Sequence, residues 1–545
     1  MSVVVDTELA LLIDVGSAWA KANVIGRVRG RWRLVAHVAQ PTAWGAAELR
    51  NALIDRLAAA ADARLTGRLD ELLGSANRIE CHTARRPGRV AVVAVSRELS
   101  GSSARRAAEA AGWQVTESVS LDDGRSLTDR IATLQSADVD AWLLAGGFDG
   151  ARSPRAMEVA AMVAASRRAG DGLVIWAGSA DLAEEVAALF EPDRFSTVAN
   201  ARPDARRDDP APLREHLQAL LRTVVAREDE THLSAIALPR AIGALAAGSG
   251  LRVMAVDIGA RSAIGALAEA DGTVTSRIHG SGGLAGLAGV AGAAARVSRL
   301  AGDAGEEAAV ADLLQTLRAR PASVPQTPEE LSATQAAARV QLASLLEDGA
   351  PGTLDLLIGA GATIASAPHP AQAARIMLDG VRPLGITQLA IDPAGLLGPL
   401  GSLPDDEIRE GVALLAEDLL VPLGTAVVCR GGESGRLAMR VTVHRAGWPS
   451  LAPIEVRAGQ LQVVPLGRGQ QAELTIEAGE GVSLGAARRS PRIQAVATGG
   501  TVGLILDARG IPIVLPRRGD DRRAVLGGWR DALLREPAAG VERVA

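Results

Sequence analysis

The chain has 545 residues, 48% hydrophobic and 22% charged, with 63 acidic against 58 basic side chains and a formal charge of -5. This composition excludes a disordered or collagen-like polymer and is enough for roughly three or four domains with cores of their own. The near balance of charge gathers neither nucleic acid nor an anionic membrane surface. Two distant cysteines, Cys81 and Cys429, make neither a disulfide framework nor a four-ligand metal site, so a cytoplasmic setting is expected.

The opening, MSVVVDTELALLIDVGS, has acids where a secretory leader needs basic residues and runs straight into a strand pattern. Residues 9 to 28 read as a hairpin bent at Gly16, and the same grammar returns at 251 to 268. LLIDVGSAWAKANVIG and VMAVDIGARSAIGALA each give an apolar strand, an Asp-aliphatic-Gly turn and a second strand, 243 positions apart, which predicts a duplicated domain pair. Between them RVAVVAVS (89 to 96), AWLLAGG (141 to 147) and GLVIWAG (172 to 178) alternate with helical segments, predicting an inserted α/β subdomain at about 80 to 200. Residues 285 to 350 are Ala-rich and helical, broken by RPASVPQTP at 320 to 328. Beyond about 422, alternating segments such as MRVTVHR and AELTIEAG predict an antiparallel β domain. The expected division is 1–245, 246–421 and 422–545. The uncharged stretches Gly280 to Ala295 and Leu356 to Ala374 are too rich in Gly, Ala, Ser, Pro and His to make membrane spans.

Lys21 is the only lysine among the 58 basic residues, so the place of this one compact ammonium is informative. It also leaves the β domain without the lysine that a biotinyl or lipoyl carrier needs. In the first turn Gly16 lets backbone approach a ligand, Ser17 offers a hydroxyl, Asp14 can orient metal-bound water and Lys21 can neutralise phosphate. The alternative for one such turn is an ordinary hairpin. The second turn offers Asp257, Gly259 and Ser262, and a third, LLIGAGA, offers Gly359 and Gly361 where an adenosine could lie against backbone. The alternative for the third is a simple strand-to-helix turn; the first two, facing each other across a cleft, predict a nucleotide clamp with Mg²⁺ held through water by Asp14 and Asp257.

In this order the turns resemble the phosphate, phosphate and adenosine segments of the actin-like ATPase superfamily, where actin's first-turn lysine also follows its aspartate by seven positions. Within it the chain resembles the glutamate mutase L family. LLIDVGSAWAK is similar to that family's LxDIGSTxTK, AWLLAGGFDG to LLAGGTDGG and VMAVDIGARSA to VVDVGGATTD, while LLIGAGATI and PLGITQLAIDPAGLLGPLGSL resemble its closing segments, over residues 9 to 405. The resemblance implies duplicated ribonuclease H-like domains with an inserted α/β subdomain and a C-terminal β-rich domain. It also implies a chaperone-like accessory role toward an adenosylcobalamin-dependent mutase. The chain lacks an Asp-x-His-x-x-Gly cobalamin signature.

The departures bear on chemistry. Ala18 and Ala20 stand where the first motif has threonines; Ala260, Arg261, Ser262, Ala263 and Ile264 replace the second motif's GATTD. Lost hydroxyls and a lost carboxylate remove groups that position metal and water, so a non-hydrolysing binding or scaffold protein is the alternative to an active ATPase. A small-molecule kinase would need a catalytic Asp that no motif locates. An iron–sulfur activase would need a cysteine pair unlike Cys81 and Cys429. The histidines at 37, 82, 216, 232, 279, 369 and 444 lack metal-ligand spacing, and Cys81 beside His82 is adjacency without an activating arrangement. Asp149 and Gly150 after Gly146 and Gly147 read either as a ligand turn at a strand end or as a turn needing positive φ. Trp19, Trp32, Trp44, Trp142 and Trp176 are expected in the core, and PRRGDDRR at 516 to 523 as a solvated loop.

Overall fold

The computed structural model describes residues 9–28, 31–59, 78–84, 86–168, 171–225, 232–278, 283–302, 306–346, 351–405, 407–414, 419–445, 452–485 and 492–534. The expectations for residues 1–8, His279 and the start of the Gly280 to Ala295 stretch lie outside these. The chain divides into one unit of Met1–Glu80, Ala241–Thr273 and Ser281–Ala545, and another of Cys81–Arg240 with Val274–Gly280.

The first unit opens with β1 (Leu9–Val15), β2 (Trp19–Val28) and β3 (Arg31–Pro41), an antiparallel meander with β4 (Arg78–His82) beside β1. Because side chains alternate across a strand, register decides what each face carries. Leu9, Leu11 and Ile13 share a face with Ala20, Ala22 and Val24 and form a core with Leu49 and Leu53 of helix Ala46–Ala59. The other face pairs Leu12 with Asn23 and Asp14 with Lys21, which puts the polar residues of both strands together.

The second unit contains β5 (Gly88–Ala94), β6 (Trp113–Ser120), β7 (Ala141–Ala145), β8 (Leu173–Trp176) and β9 (Phe195–Thr197), all parallel, in the order β6-β5-β7-β8-β9. This is a doubly wound sheet covered on both faces. Val90, Val92 and Ala94 of β5 pack with helices Ser102–Ala110 and Ala211–Val225; Ala91 and Val93 pack with Leu127–Ser136 and Pro154–Ser166. Trp113, Trp142 and Trp176 are buried here, as expected for the last two, whereas Trp44 of the first unit is 62% exposed.

Back in the first unit, β10 (Val253–Ile258) and β11 (Ala263–Ala268) form the second hairpin; β12 (Val274–Ile278) belongs to the second unit. β13 (Leu356–Ala360) lies parallel to β10, β14 (Gly385–Ile391) parallel to β13, and β15 (Val421–Val428) antiparallel to β14. In both halves a hairpin strand has the next long-range strand as its other neighbour, β4 beside β1 and β13 beside β10. The two halves thus share one order, β3-β2-β1-β4 and β12-β11-β10-β13, as a duplicated pair would.

The C-terminal strands are β16 (Arg430–Gly431), β17 (Leu437–His444), β18 (Ile454–Arg457), β19 (Leu461–Val464), β20 (Gln471–Ala478), β21 (Val482–Ser483), β22 (Arg492–Thr498) and β23 (Gly503–Asp507). β18-β17-β20-β22 make an antiparallel sheet, while β23 and β19 continue the larger sheet from β15. A buried ion network joins the segment after β23 to the interior. Arg509 Nη1 donates to Asp379 Oδ1 at 2.6 Å and Nη2 to Asp507 Oδ2 at 2.7 Å, while Arg339 Nη1 donates to Asp379 Oδ2 at 3.1 Å. Helix Gly519–Leu534 begins inside the stretch expected as a loop. Asp520 and Asp521 lie in its first turn, where the helix dipole favours carboxylates, and Leu526, Trp529 and Leu533 bury its apolar side.

Candidate functional site

Hairpin register sets the centre of the site. Asp14 and Lys21 are directly cross-strand, with Lys21 Nζ 3.7 Å from Asp14 Oδ2, and Lys21 is 7% exposed. Burial pushes the ammonium toward losing its proton; Asp14, then Asp392 and Asp257, hold it, and its pKa stands above the usual lysine value. The loop after β14 covers this pair. A Cβ at Gly395, whose φ of +70° already strains any other residue, would lie 2.8 Å from Lys21 Nζ and 3.0 Å from Asp14 Oδ2 and crowd the pair. Asp392 fixes that loop by accepting from the Gly395 and Leu397 amides at 2.9 Å each. Asn23 Nδ2 donates to Ala394 O at 3.0 Å, and His37 Nδ1 lies 2.7 Å from Asn23 Oδ1.

The second turn is closed by Gly259 N donating to Ser262 O at 2.9 Å, and Asp257 sits across β11 from Ile264. Burial, then Asp14, push the Asp257 carboxyl up to about 6 against the pull of Lys21. Gly361, with φ +80° at the end of β13, packs so closely that a Cβ would lie 2.6 Å from Asp257 Oδ1 and 2.3 Å from Ile258 O. The first and second turns meet directly: Arg261 N donates to Ser17 Oγ at 3.2 Å. Thus Asp14, Gly16, Ser17, Lys21, Asp257, Gly259, Ser262 and Gly361 gather in one region of the first unit. Gly359 stands inside β13, where a Cβ would lie 2.6 Å from Ile364 Cγ2 and 2.7 Å from Met377 Sδ; the missing side chain there makes room for packing.

A cavity of about 620 Å³ borders these turns. Its lining includes Ala18, Trp19, Lys21, Gly259 and Ala260 from the two hairpins, Ala362, Thr363 and Ser366 after β13, and Ser323 to Pro328 of the Pro-rich break. Trp19, expected in the core, therefore forms part of a wall. A volume in the usual ligand-site range, one buried ammonium and a glycine, Gly259, in the wall suit a polyphosphate. Asp14 and Asp257 disfavour each other's charge, and a divalent cation would relieve that. The residues present therefore fit Mg²⁺ with a nucleotide.

Asp392, Gly395 and Asn23 join the site from outside the three turns. The strand, Asp-Pro, Gly signal of IDPAG was the available clue to the first two; Asn23 reads as an ordinary strand residue until its register with Leu12 is known. The turn after β7 has internal uses: Asp149 Oδ1 accepts from Ala180 N at 3.1 Å and Asn200 Nδ2 at 3.0 Å, and Gly147 and Gly150 have φ of +77° and +78°. Cys81 is buried with Sγ 3.6 Å from Ser234 Oγ, and burial, with Asp507, pushes the Cys429 thiol up to about 12. Among the described residues no three His, Cys, Asp or Glu gather as a metal-ligand set, and no helix is long and apolar enough to cross a membrane.

Comparison with solved structures finds similarity to component A of the (R)-2-hydroxyglutaryl-CoA dehydratase of Acidaminococcus fermentans (9% identity, TM-score 0.26, 73% of this chain and 96% of that one). The nucleotide-free structure of acetone carboxylase is matched at 12% identity and TM-score 0.29, over 83% of this chain and 81% of that one. A carbohydrate kinase from Novosphingobium aromaticivorans is matched at 12% identity and TM-score 0.22, over 76% and 94%. These overlaps are too loose for any property of those proteins to transfer. No curated protein matches the chain. The family model described as MutL protein matches residues 10–347, which takes in both hairpins and the doubly wound unit. The chain belongs to the MutL, or glutamate mutase L, family.

Proposed function

We propose that the protein binds Mg-ATP in the cleft bordered by the three turns and serves as a chaperone-like or reactivating accessory factor for an adenosylcobalamin-dependent mutase of the glutamate mutase type. The observation that carries the nucleotide reading is the placement of the only lysine, buried opposite Asp14 beside a cavity of about 620 Å³. Lys21 would neutralise phosphate charge, Gly259 and Gly361 would admit phosphate and adenosine against backbone, and Asp14 and Asp257 would hold Mg²⁺ through water. Family membership supports the link to glutamate mutase. Residues 1–245 and 246–421 would form the two clamp halves and 422–545 a β-rich appendage, with the whole working in the cytoplasm.

Binding without hydrolysis is the second reading. It is favoured by Ile264 and Ala263, which leave the second turn short of a carboxylate and a hydroxyl for positioning water.

Thermal unfolding with and without Mg-ATP tests binding, since a ligand at a hundredfold excess over its Kd adds about 2.7 kcal/mol of stability. The expected outcome is a rise in Tm that Asp14→Ala and Lys21→Ala both lose. No rise at millimolar Mg-ATP would end the nucleotide reading. Phosphate release then separates hydrolysis from binding, and nucleotide-dependent association with a mutase subunit tests the partner.

A further inference from the structure

We propose that Arg261 is a specificity residue that reads the outermost phosphate of the nucleotide, making the cleft prefer a triphosphate to a diphosphate. This rests on the nucleotide reading above and adds to it a residue outside the predicted turn set.

The first observation is position. The Arg261 amide donates to Ser17 Oγ at 3.2 Å, so residue 261 stands over the first turn, next to the hydroxyl and two residues beyond Gly259. Its backbone is held from behind: Leu284 N donates to Gly259 O at 3.1 Å, Ala285 N to Ala260 O at 2.9 Å, and a Cβ at Gly283 would lie 2.1 Å from Gly259 O. The second turn is therefore a fixed mount, not a loose loop. The side chain it carries is exposed, and among the described residues its guanidinium has no hydrogen bond or ion pair.

The second observation is charge. Lys21 pairs with Asp14 and also feels Asp392 and Asp257, so its ammonium is already engaged by carboxylates. A polyphosphate entering this field meets more carboxylate than ammonium, so each added phosphate group needs further positive charge. One bound Mg²⁺ supplies part of it. Arg261 is the cation mounted on the turns themselves, on a stem long enough to fold over them. A guanidinium presents a planar fork that engages two phosphate oxygens at once, which an alanine in the same place does not. Against the family motif the second turn has thus lost one hydroxyl and a carboxylate, groups that position metal and water, and gained a group that binds phosphate. The exchange favours holding the terminal phosphate over cleaving it.

Calorimetric titration of the full chain with Mg-ATP and Mg-ADP tests this in the wild type, Arg261→Ala and Arg261→Lys. In the wild type Mg-ATP should bind about tenfold or more tightly than Mg-ADP, as one charge-assisted contact allows. Arg261→Ala should lose most of that preference by weakening Mg-ATP about tenfold and Mg-ADP less than about threefold, with Arg261→Lys between. The exposed site predicts unchanged unfolding of the unliganded variants, which separates lost recognition from lost folding. If the wild type binds nucleotide but Arg261→Ala keeps its preference, or weakens both nucleotides equally, this inference falls and the nucleotide reading stands. A wild type that binds neither nucleotide at millimolar concentration overturns both.

Discussion

The two Asp-x-Gly hairpins share a turn and differ in the residue across the ladder. Asp14 faces Lys21, whereas Asp257 faces Ile264. The first carboxylate has a cation within 3.7 Å, while the second is half-buried, has an aliphatic residue as its cross-strand partner and is pushed up to about 6 by desolvation and Asp14. Duplication has kept the backbone device and divided the electrostatics, so that one half holds the charge pair and the other a carboxylate awaiting a cation. A motif search that scores Asp-x-Gly alone treats the two as equal; the cross-strand partner separates them.

The largest effect should come from removing the cation of the first hairpin. Lys21→Met leaves three carboxylates facing one another and should cost about 3 to 5 kcal/mol in urea unfolding, as breaking buried pairs does. An unchanged midpoint would mean that Asp14 is held by its other contacts. Gly361→Ala attacks the close packing behind the second turn. A Cβ 2.3 Å from Ile258 O at a φ of +80° should cost about 2 to 4 kcal/mol, read as a lowered Tm.

Asp257→Asn sharpens the comparison because it should act in the opposite direction. A carboxyl whose folded pKa is raised holds its proton longer in the folded than in the unfolded chain. Its contribution to stability is therefore greatest at low pH and is lost as pH rises through about 4 to 6. Without Mg²⁺, Asp257→Asn should be about 1 to 3 kcal/mol more stable than wild type at pH 8, with the gap closing by pH 4. Asp14→Asn should show no such gain. The smallest effect is expected from Ser17→Ala, about 1 kcal/mol or less, because it breaks one part-exposed hydrogen bond between the turns.

Local pattern carried much of the fold into the sequence. Asp14, Gly16 and the following apolar run spelled a hairpin, its echo at Asp257 spelled a duplication, and AWLLAGG and GLVIWAG spelled parallel strands. What remained hidden was decided across long separations. Asn23 reaches Ala394, 371 positions away, and the loop that seats Gly395 over Lys21 is recognisable only once β14 is known to lie next to β13. Likewise β17 and β20 read as strands from their alternation, but nothing local says that β23 would leave them to pair with β15.

That last pairing has a consequence for the order in which the protein can fold during synthesis. β15 must wait for β23, about 80 residues later, and Asp379 gains the Arg509 guanidinium only after a further 130 positions have been made. The second half of the molecule thus cannot finish its sheet or complete the ion network around Asp379 until Gly503 to Arg509 have been made, whereas the β1 to β3 meander closes over neighbouring residues early. A release truncated before Gly503 would leave the β15 edge open and Asp379 short of its shortest ion pair, a product expected to be captured by proteolysis or aggregation rather than to persist as a smaller working protein.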